Sequence, residues 1–78
     1  MRADITWEEC RDLLAAADSK AARYKDSRAL LEAAITDIRR DLGSRGYLFE
    51  KQVDFLQDVA SGKPPACGWA AAVEKVNA

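Results

Sequence analysis

Residues 30–61 of the chain read LLEAAITDIRRDLGSRGYLFEKQVDFLQDVAS, and this stretch decides the fold. Apolar side chains recur in it at intervals of three and four residues, on both sides of a segment that holds Gly43 and Gly46. Such spacing places apolar side chains on one face of an α-helix. The stretch therefore predicts two amphipathic helices joined by a turn at residues 43–46, the second of which ends at Ser61-Gly62.

Outward from this hairpin, the sequence predicts one further helix on each side. Residues 6–9 match a capping box, so a helix is expected from Trp7 to Tyr24. After the hairpin, Pro64-Pro65 breaks the chain, and a short alanine-rich helix is expected over residues 66–76. No alternating pattern of useful length predicts a strand. The prediction is an all-α fold, a small bundle of three to four helices that forms a single domain over residues 1–78.

Most of the expected core follows from the same periodicity. Trp7 and Trp69 are placed in it as well, because a small domain needs its largest apolar side chains inside. Cys10 and Cys67 are interpreted as two small buried hydrophobes, and whether they pair is left open. The buried positions predicted for the hairpin are Leu31, Ala34, Ile35, Ile38, Leu42, Leu48, Gln52, Val53, Leu56, Val59 and Ala60.

Size and composition argue against an enzyme. A chain of 78 residues buries only about 60% of its unfolded surface, which leaves little room for a deep catalytic pocket. Histidine is absent, so the commonest general base and metal ligand are both missing. Cys10 and Cys67 lie too far apart in the sequence to suggest a metal site. We therefore predict no catalytic residues, no metal and no cofactor.

The charge balance and the short apolar runs limit the kinds of partner that the chain is expected to have. Twelve basic and thirteen acidic residues give a formal charge of −1, which offers no net attraction for nucleic acid. No apolar run is long enough to cross a membrane, and no export signal precedes the first helix, so a cytoplasmic protein is expected. A homodimer stays open as an alternative, because a domain this small gains stability by burying apolar surface between copies.

Two sets of charged residues are candidate contact surfaces. Glu50, Asp54 and Asp58 recur at four-residue spacing and form an acidic row that could imitate a strand of phosphates. The alternative for this row is an ordinary solvated helix face. Arg39, Arg40 and Arg45 form a secondary basic patch that could grip phosphates or an acidic protein surface. Because aspartates 18, 26, 37 and 41 lie among the basic residues, a surface of mutual ion pairs is the competing interpretation.

The turn before the acidic row carries a resemblance. Residues 46–52, Gly-Tyr-Leu-Phe-Glu-Lys-Gln, resemble a helical hairpin of small phage-encoded proteins in which Gly-x-Leu-Ser/Thr-x-Lys-Gln joins two helices. The resemblance covers residues 30–61 and implies a phage or mobile-element source. Phe49 stands where the usual Ser or Thr would cap the second helix, so either another group caps that helix or Phe49 serves a contact.

The chain as a whole is similar in type to anti-CRISPR proteins, which are small, acidic and helical. This similarity implies stoichiometric binding to a host effector complex in the host-cell cytoplasm. The expected contact residues are Tyr47, Phe49, Glu50, Asp54 and Asp58. Two alternatives from other classes are a small helical DNA-associated regulatory protein that uses the arginine patch, and a self-assembling scaffold module that docks through its last helix.

Overall fold

The computed structural model describes residues 1–77, which form four helices. Helix α1 spans Trp7–Ala21, α2 spans Arg28–Arg45, α3 spans Glu50–Ser61 and α4 spans Gly68–Asn77. Within residues 1–77 the only β-type pairing is an isolated antiparallel bridge between Arg2 and Phe49. The predicted all-α bundle is therefore confirmed.

The core lies where the four helices meet, and α1 packs most extensively on α3. All five apolar positions predicted on α2 are buried, which confirms the periodicity that was used to place them. Among residues 1–77, Gln52 on α3 is the one polar residue that is buried. The largest side chains that are fully buried are Leu14, Leu31, Ile35, Ile38, Leu48, Leu56 and Val59.

Helix α1 begins at the predicted capping box. The hydroxyl of Thr6 accepts a hydrogen bond from the amide of Glu9 at 3.1 Å, and the Glu9 carboxylate accepts one from the Thr6 amide at 3.0 Å. The helix ends at Ala21, three residues before the predicted end at Tyr24. The amides of Arg23 and Tyr24 donate to carbonyls three residues earlier instead of four, so the chain leaves the helix through a tighter turn.

The capping box gives a prediction about stability and its pH dependence. Replacing Thr6 with alanine should lower the free energy of unfolding by about 1 kcal/mol, because the Glu9 amide loses its acceptor. The Thr6 amide and hydroxyl also lower the pKa of Glu9 from its ordinary value of 4.5. Because this pKa is lowered in the folded state, the stabilisation is present above about pH 4.5 and is lost as the pH falls through the lower, folded-state value.

Urea denaturation at pH 7 and pH 3 measures both effects. Thr6→Ala keeps the amide and loses only the hydroxyl's share of the lowering, so the difference between the variant and the parent protein should decrease as the pH falls from 7 to 3. Thr36→Ala serves as the control, because Thr36 is exposed inside α2 and alanine is a good helix former there. Equal losses for Thr6→Ala and Thr36→Ala would contradict the role given to the cap.

The connection between α2 and α3 lies three residues later than predicted, at residues 46–49. Gly43 does not end α2, because residues 43–45 continue the helix. The stop is Gly46, whose φ of 83° places it in the left-handed region and whose amide donates to the Leu42 carbonyl at 2.7 Å. A glycine inside a helix costs only about 1 kcal/mol relative to alanine, so packing of the helix beyond Gly43 readily overrides it.

The two tryptophans have different environments, and the prediction that both are core residues is wrong for Trp7. Trp69 is 8% exposed and makes edge-to-face contacts with Tyr24 and Phe55, with ring centroids 5.5 Å and 6.2 Å apart. Trp7 is 48% exposed, at the first turn of α1, and the Arg11 guanidinium lies 5.2 Å from its ring centroid. Its place at the helix end leaves too few neighbouring elements to cover the indole.

The cysteines also differ from each other. Cys10 is buried in the core, whereas Cys67 is exposed in the turn that precedes α4, so the prediction of two buried thiols is wrong for Cys67. Both are free thiols. Burial, and secondarily the negative charge of Glu9, raises the pKa of the Cys10 thiol above its ordinary value. Cys67 lies in the turn between Pro65 and the first residue of α4, outside the helical faces that form the core.

Candidate interaction surface

The first turn of α3 is capped by the N-terminal segment of the chain. Phe49 is extended and its side chain accepts no hydrogen bond, as expected for a hydrocarbon ring. The Met1 carbonyl accepts a hydrogen bond from the Glu50 amide at 2.8 Å, and the Ala3 amide donates to the Leu48 carbonyl, also at 2.8 Å. The cap that Phe49 cannot provide therefore comes partly from the main chain of residues 1–3.

Gln52 supplies the rest of this cap and links it to α2. Its amide oxygen accepts hydrogen bonds from the Phe49 amide and from the Arg45 guanidinium, both at 2.9 Å, while its amide nitrogen donates to the Asp41 carboxylate at 3.2 Å. Gln52 is only 3% exposed. A buried polar side chain is tolerated when its hydrogen bonds are made, and here three partners satisfy it. The periodicity places Gln52 in the core but gives no sign of this network.

Tyr47 and Phe49 are half-buried and contact each other. Their rings meet edge to face with centroids 5.9 Å apart. The Arg45 guanidinium lies 4.2 Å from the Phe49 centroid, and the Arg2 guanidinium lies 4.7 Å from the Tyr47 centroid. Cation–π contacts of this kind hold the N-terminal segment and the end of α2 against the turn. Part of each ring therefore makes contacts within the chain. The role of both rings in partner binding stays a prediction.

The three predicted acidic residues form an exposed ridge along α3. Glu50, Asp54 and Asp58 are exposed at successive turns of the helix, and we refer to them as the acidic ridge. Within residues 1–77, no ion pair neutralises any of these carboxylates. Their spacing of four residues corresponds to a rise of about 6 Å along the axis. The ridge therefore presents a regular line of negative charge to solvent.

The arginines of the predicted basic patch each lie beside a carboxylate. The Arg40 guanidinium is 3.1 Å from the Asp37 carboxylate. Looser pairs, at 4.0 Å, join Arg39 to Asp18 and Arg45 to Asp41. Exposed pairs such as these add little stability, but they balance the positive charge locally. Unlike the carboxylates of the acidic ridge, these arginines each have an ion-pair partner within residues 1–77.

The acidic ridge separates two clefts of different charge. Glu50 and Asp54 line a cleft beside the segment that precedes α1, and Asp4 also lines it. Asp54 and Asp58 line a cleft on the side of α4, and Lys75 also lines it. The sequence did not identify Asp4 as part of this surface. The sequence carries no local signal for this, because tertiary contacts, including the hydrogen bonds of Met1 and Ala3, bring the residues before α1 to the ridge.

Neither a metal cluster nor a membrane-spanning helix is found in the described part of the chain. Among residues 1–77, no three histidine, cysteine, aspartate or glutamate side chains are placed to hold a metal ion. The longest helix, α2, and the three shorter ones all lack the length or the apolar character to cross a bilayer. No protein-family model, no curated protein and no solved structure matches the chain.

Proposed function

We propose that this chain is a non-enzymatic inhibitor of the anti-CRISPR type, of phage or mobile-element origin, which acts by stoichiometric binding in the cytoplasm of the host cell. Its partner is a basic surface of a host effector complex that otherwise binds nucleic acid. The observation that carries the proposal is the acidic ridge, whose three carboxylates are exposed and have no ion pair within residues 1–77.

The spacing of the ridge supports imitation of nucleic acid. Successive carboxylates are separated by about 6 Å of helix rise. Two nucleotides of one DNA strand rise by about 7 Å, so carboxylates at this spacing can meet a row of phosphate-binding lysines and arginines. Complementary charge would also accelerate association with such a surface. Tyr47 and Phe49 lie at the start of the ridge and add partly exposed aromatic area, which is frequent at binding hot spots.

The alternatives receive less support from the same structure. A DNA-associated protein would need free positive charge, whereas Arg39, Arg40 and Arg45 each lie beside an aspartate. A scaffold that docks through α4 would need an exposed apolar face, whereas Trp69, Val73 and Val76 are each 8% exposed. Neither alternative is supported by a specific feature of the fold.

Affinity capture tests the proposal. Tagged protein is incubated at moderate salt with a lysate of a bacterium that has an active CRISPR system, and the bound proteins are identified and quantified by mass spectrometry. We expect stoichiometric recovery of effector subunits, and addition of the captured complex to target DNA should give reduced DNA binding. Reversal of Glu50 and Asp54 to lysine should lower recovery at least about tenfold, since it replaces attraction with repulsion at two contacts.

A matched variant separates the ridge from net charge. Asp26→Lys with Glu74→Lys changes the formal charge by the same amount but alters exposed carboxylates outside α3. This control should retain capture, and both variants should keep the helical circular dichroism of the parent. Recovery of nucleic acid instead of effector subunits would favour the regulatory alternative. A mass that rises with protein concentration, without another protein, would favour self-assembly.

A further inference from the structure

A second feature of the molecule is a groove between α1 and α3 that is formed by two adjoining clefts. One cleft, of about 370 Å³, is lined by Ile5, Glu9, Asp12, Leu13 and Gln57. The other, of about 280 Å³, is lined by Ala3, Asp4, Ile5, Glu50, Val53, Asp54 and Gln57. Ile5 and Gln57 line both clefts, which lie between α3 on one side and α1 with the residues before it on the other, and we call the two clefts together the α1–α3 groove.

The floor of the α1–α3 groove is apolar. Ile5 and Leu13 are partly buried and pack against the core, and Val53 is buried in it. A ligand that lies in the groove can therefore remove apolar surface from water as well as form polar contacts.

The rim of the groove is uniformly acidic. The charged residues that line the two clefts are Asp4, Glu9, Asp12, Glu50 and Asp54. No lysine or arginine is among the lining residues, although the chain has twelve basic residues. The hydrogen bonds from Thr6 lower the pKa of Glu9, so its contribution to the rim stays negative well below neutral pH. Such a rim repels phosphates and acidic peptides.

An apolar floor beneath an acidic rim suits lysine and arginine side chains. Their aliphatic stems cover apolar surface, while the charged head groups extend to polar surroundings. In the groove, a stem would lie over Ile5 or Leu13 and its head group would reach a carboxylate on the rim. A fully polar partner would leave the floor without contacts, and a fully apolar partner would leave the rim without them.

We propose that the α1–α3 groove binds a lysine- and arginine-rich amphipathic segment of a partner protein. This inference rests on the proposed function, because the same effector surface would supply the segment. It adds Asp4, Asp12, Ile5 and Leu13 to the contact surface, on the side of the acidic ridge that faces α1. The partner element is thereby defined as a protein segment with apolar and cationic residues on one face.

A designed peptide tests the groove directly. The probe is a fluorescein-labelled helical peptide of leucine and lysine, about four turns long, with a row of leucines on one face and lysines along both edges of that face. Its comparison is a peptide of identical composition in scrambled order. Fluorescence anisotropy at moderate salt should show tighter binding of the amphipathic peptide. In two-dimensional amide NMR spectra, the signals of Ile5, Leu13, Val53 and Gln57 should shift more than those of α2.

Variants of the rim locate the contact. Asp4→Lys with Asp12→Lys should weaken binding of the amphipathic peptide by about tenfold, since two attractive contacts become repulsive. Asp26→Lys with Glu74→Lys, which changes the net charge equally, should change it by less than about twofold. Equal binding of the two peptides, or equal losses for the two variants, would overturn the proposal. So would NMR shifts confined to residues outside the groove.

The outcome for the groove is separable from the outcome for the proposed function. If Asp4→Lys with Asp12→Lys retains capture of effector subunits while Glu50→Lys with Asp54→Lys loses it, the inhibitor function stands and the groove proposal fails. If effector subunits are not captured by any variant, the proposed function fails, while the peptide experiment still decides whether the groove binds basic amphipathic segments.

Discussion

Replacing Trp69 with alanine is expected to lower the free energy of unfolding by about 3–5 kcal/mol. The indole is buried and contacts Tyr24, which follows α1, and Phe55 on α3, so it fixes α4 to the bundle. A domain of this size has a total stability of about 4–12 kcal/mol, so the loss is a large share of it. Urea denaturation followed by far-ultraviolet circular dichroism measures the change.

Trp7 provides the matched control, since the chain has two tryptophans and their environments differ. Trp7→Ala removes a half-exposed ring and its contact with Arg11, so it should cost no more than about 1 kcal/mol. Each variant retains one tryptophan, so the fluorescence of each ring can be measured separately. In the native state, the Trp69 that remains in Trp7→Ala should emit at shorter wavelength than the Trp7 that remains in Trp69→Ala, because the Trp69 ring is removed from water. Similar losses of stability for Trp69→Ala and Trp7→Ala would contradict the assignment of Trp69 as the anchor of α4.

Gln52→Leu is expected to lower the free energy of unfolding by about 2–3 kcal/mol. Leucine has a similar size, so packing alone would predict a small effect. The loss comes from hydrogen bonding, because the Phe49 amide, the Arg45 guanidinium and the Asp41 carboxylate all lose their contact with Gln52. Arg45 already has one buried nitrogen without a hydrogen-bond partner, and the Asp41 carboxylate lies 4.0 Å from its guanidinium, so loss of the Gln52 oxygen leaves Arg45 less well satisfied.

The comparison for this variant is Gln57→Leu on the exposed face of the same helix. It should change the stability by no more than about 0.5 kcal/mol. Amide hydrogen exchange gives an independent measurement: the Phe49 amide should exchange faster in Gln52→Leu and at the parent rate in Gln57→Leu. If the two variants are equally stable, the hydrogen bonds of Gln52 contribute nothing measurable and our interpretation of the network is wrong.

The sequence was sufficient for the helices and most of the core, because those depend on local rules. The stripe of α2 follows from residues three and four positions apart, and all five of its predicted members are buried. The capping box at Thr6 is likewise a local pattern and is present as expected. Errors arose where tertiary packing decides, as at Gly43, which continues α2, and at Trp7, which no other element covers.

The candidate site was predictable only in part. The acidic ridge follows from helical spacing within α3, so its exposure could be expected from the sequence. The hydrogen bonds of Gln52 depend on the approach of α2 to the start of α3, and sequence periodicity carries no information on that distance. The same holds for Asp4 and Asp12, which reach the α1–α3 groove because α1 packs on α3.

The pairing of residues 1–3 with the start of α3 has a consequence for the order of folding. The Met1 carbonyl meets the Glu50 amide across 49 positions of sequence, with the whole of α1 and α2 between them. Contacts that are distant in sequence form late, because a long loop must close before they contribute. We therefore expect the Glu50 amide to gain protection from hydrogen exchange after the interior amides of α2 during refolding.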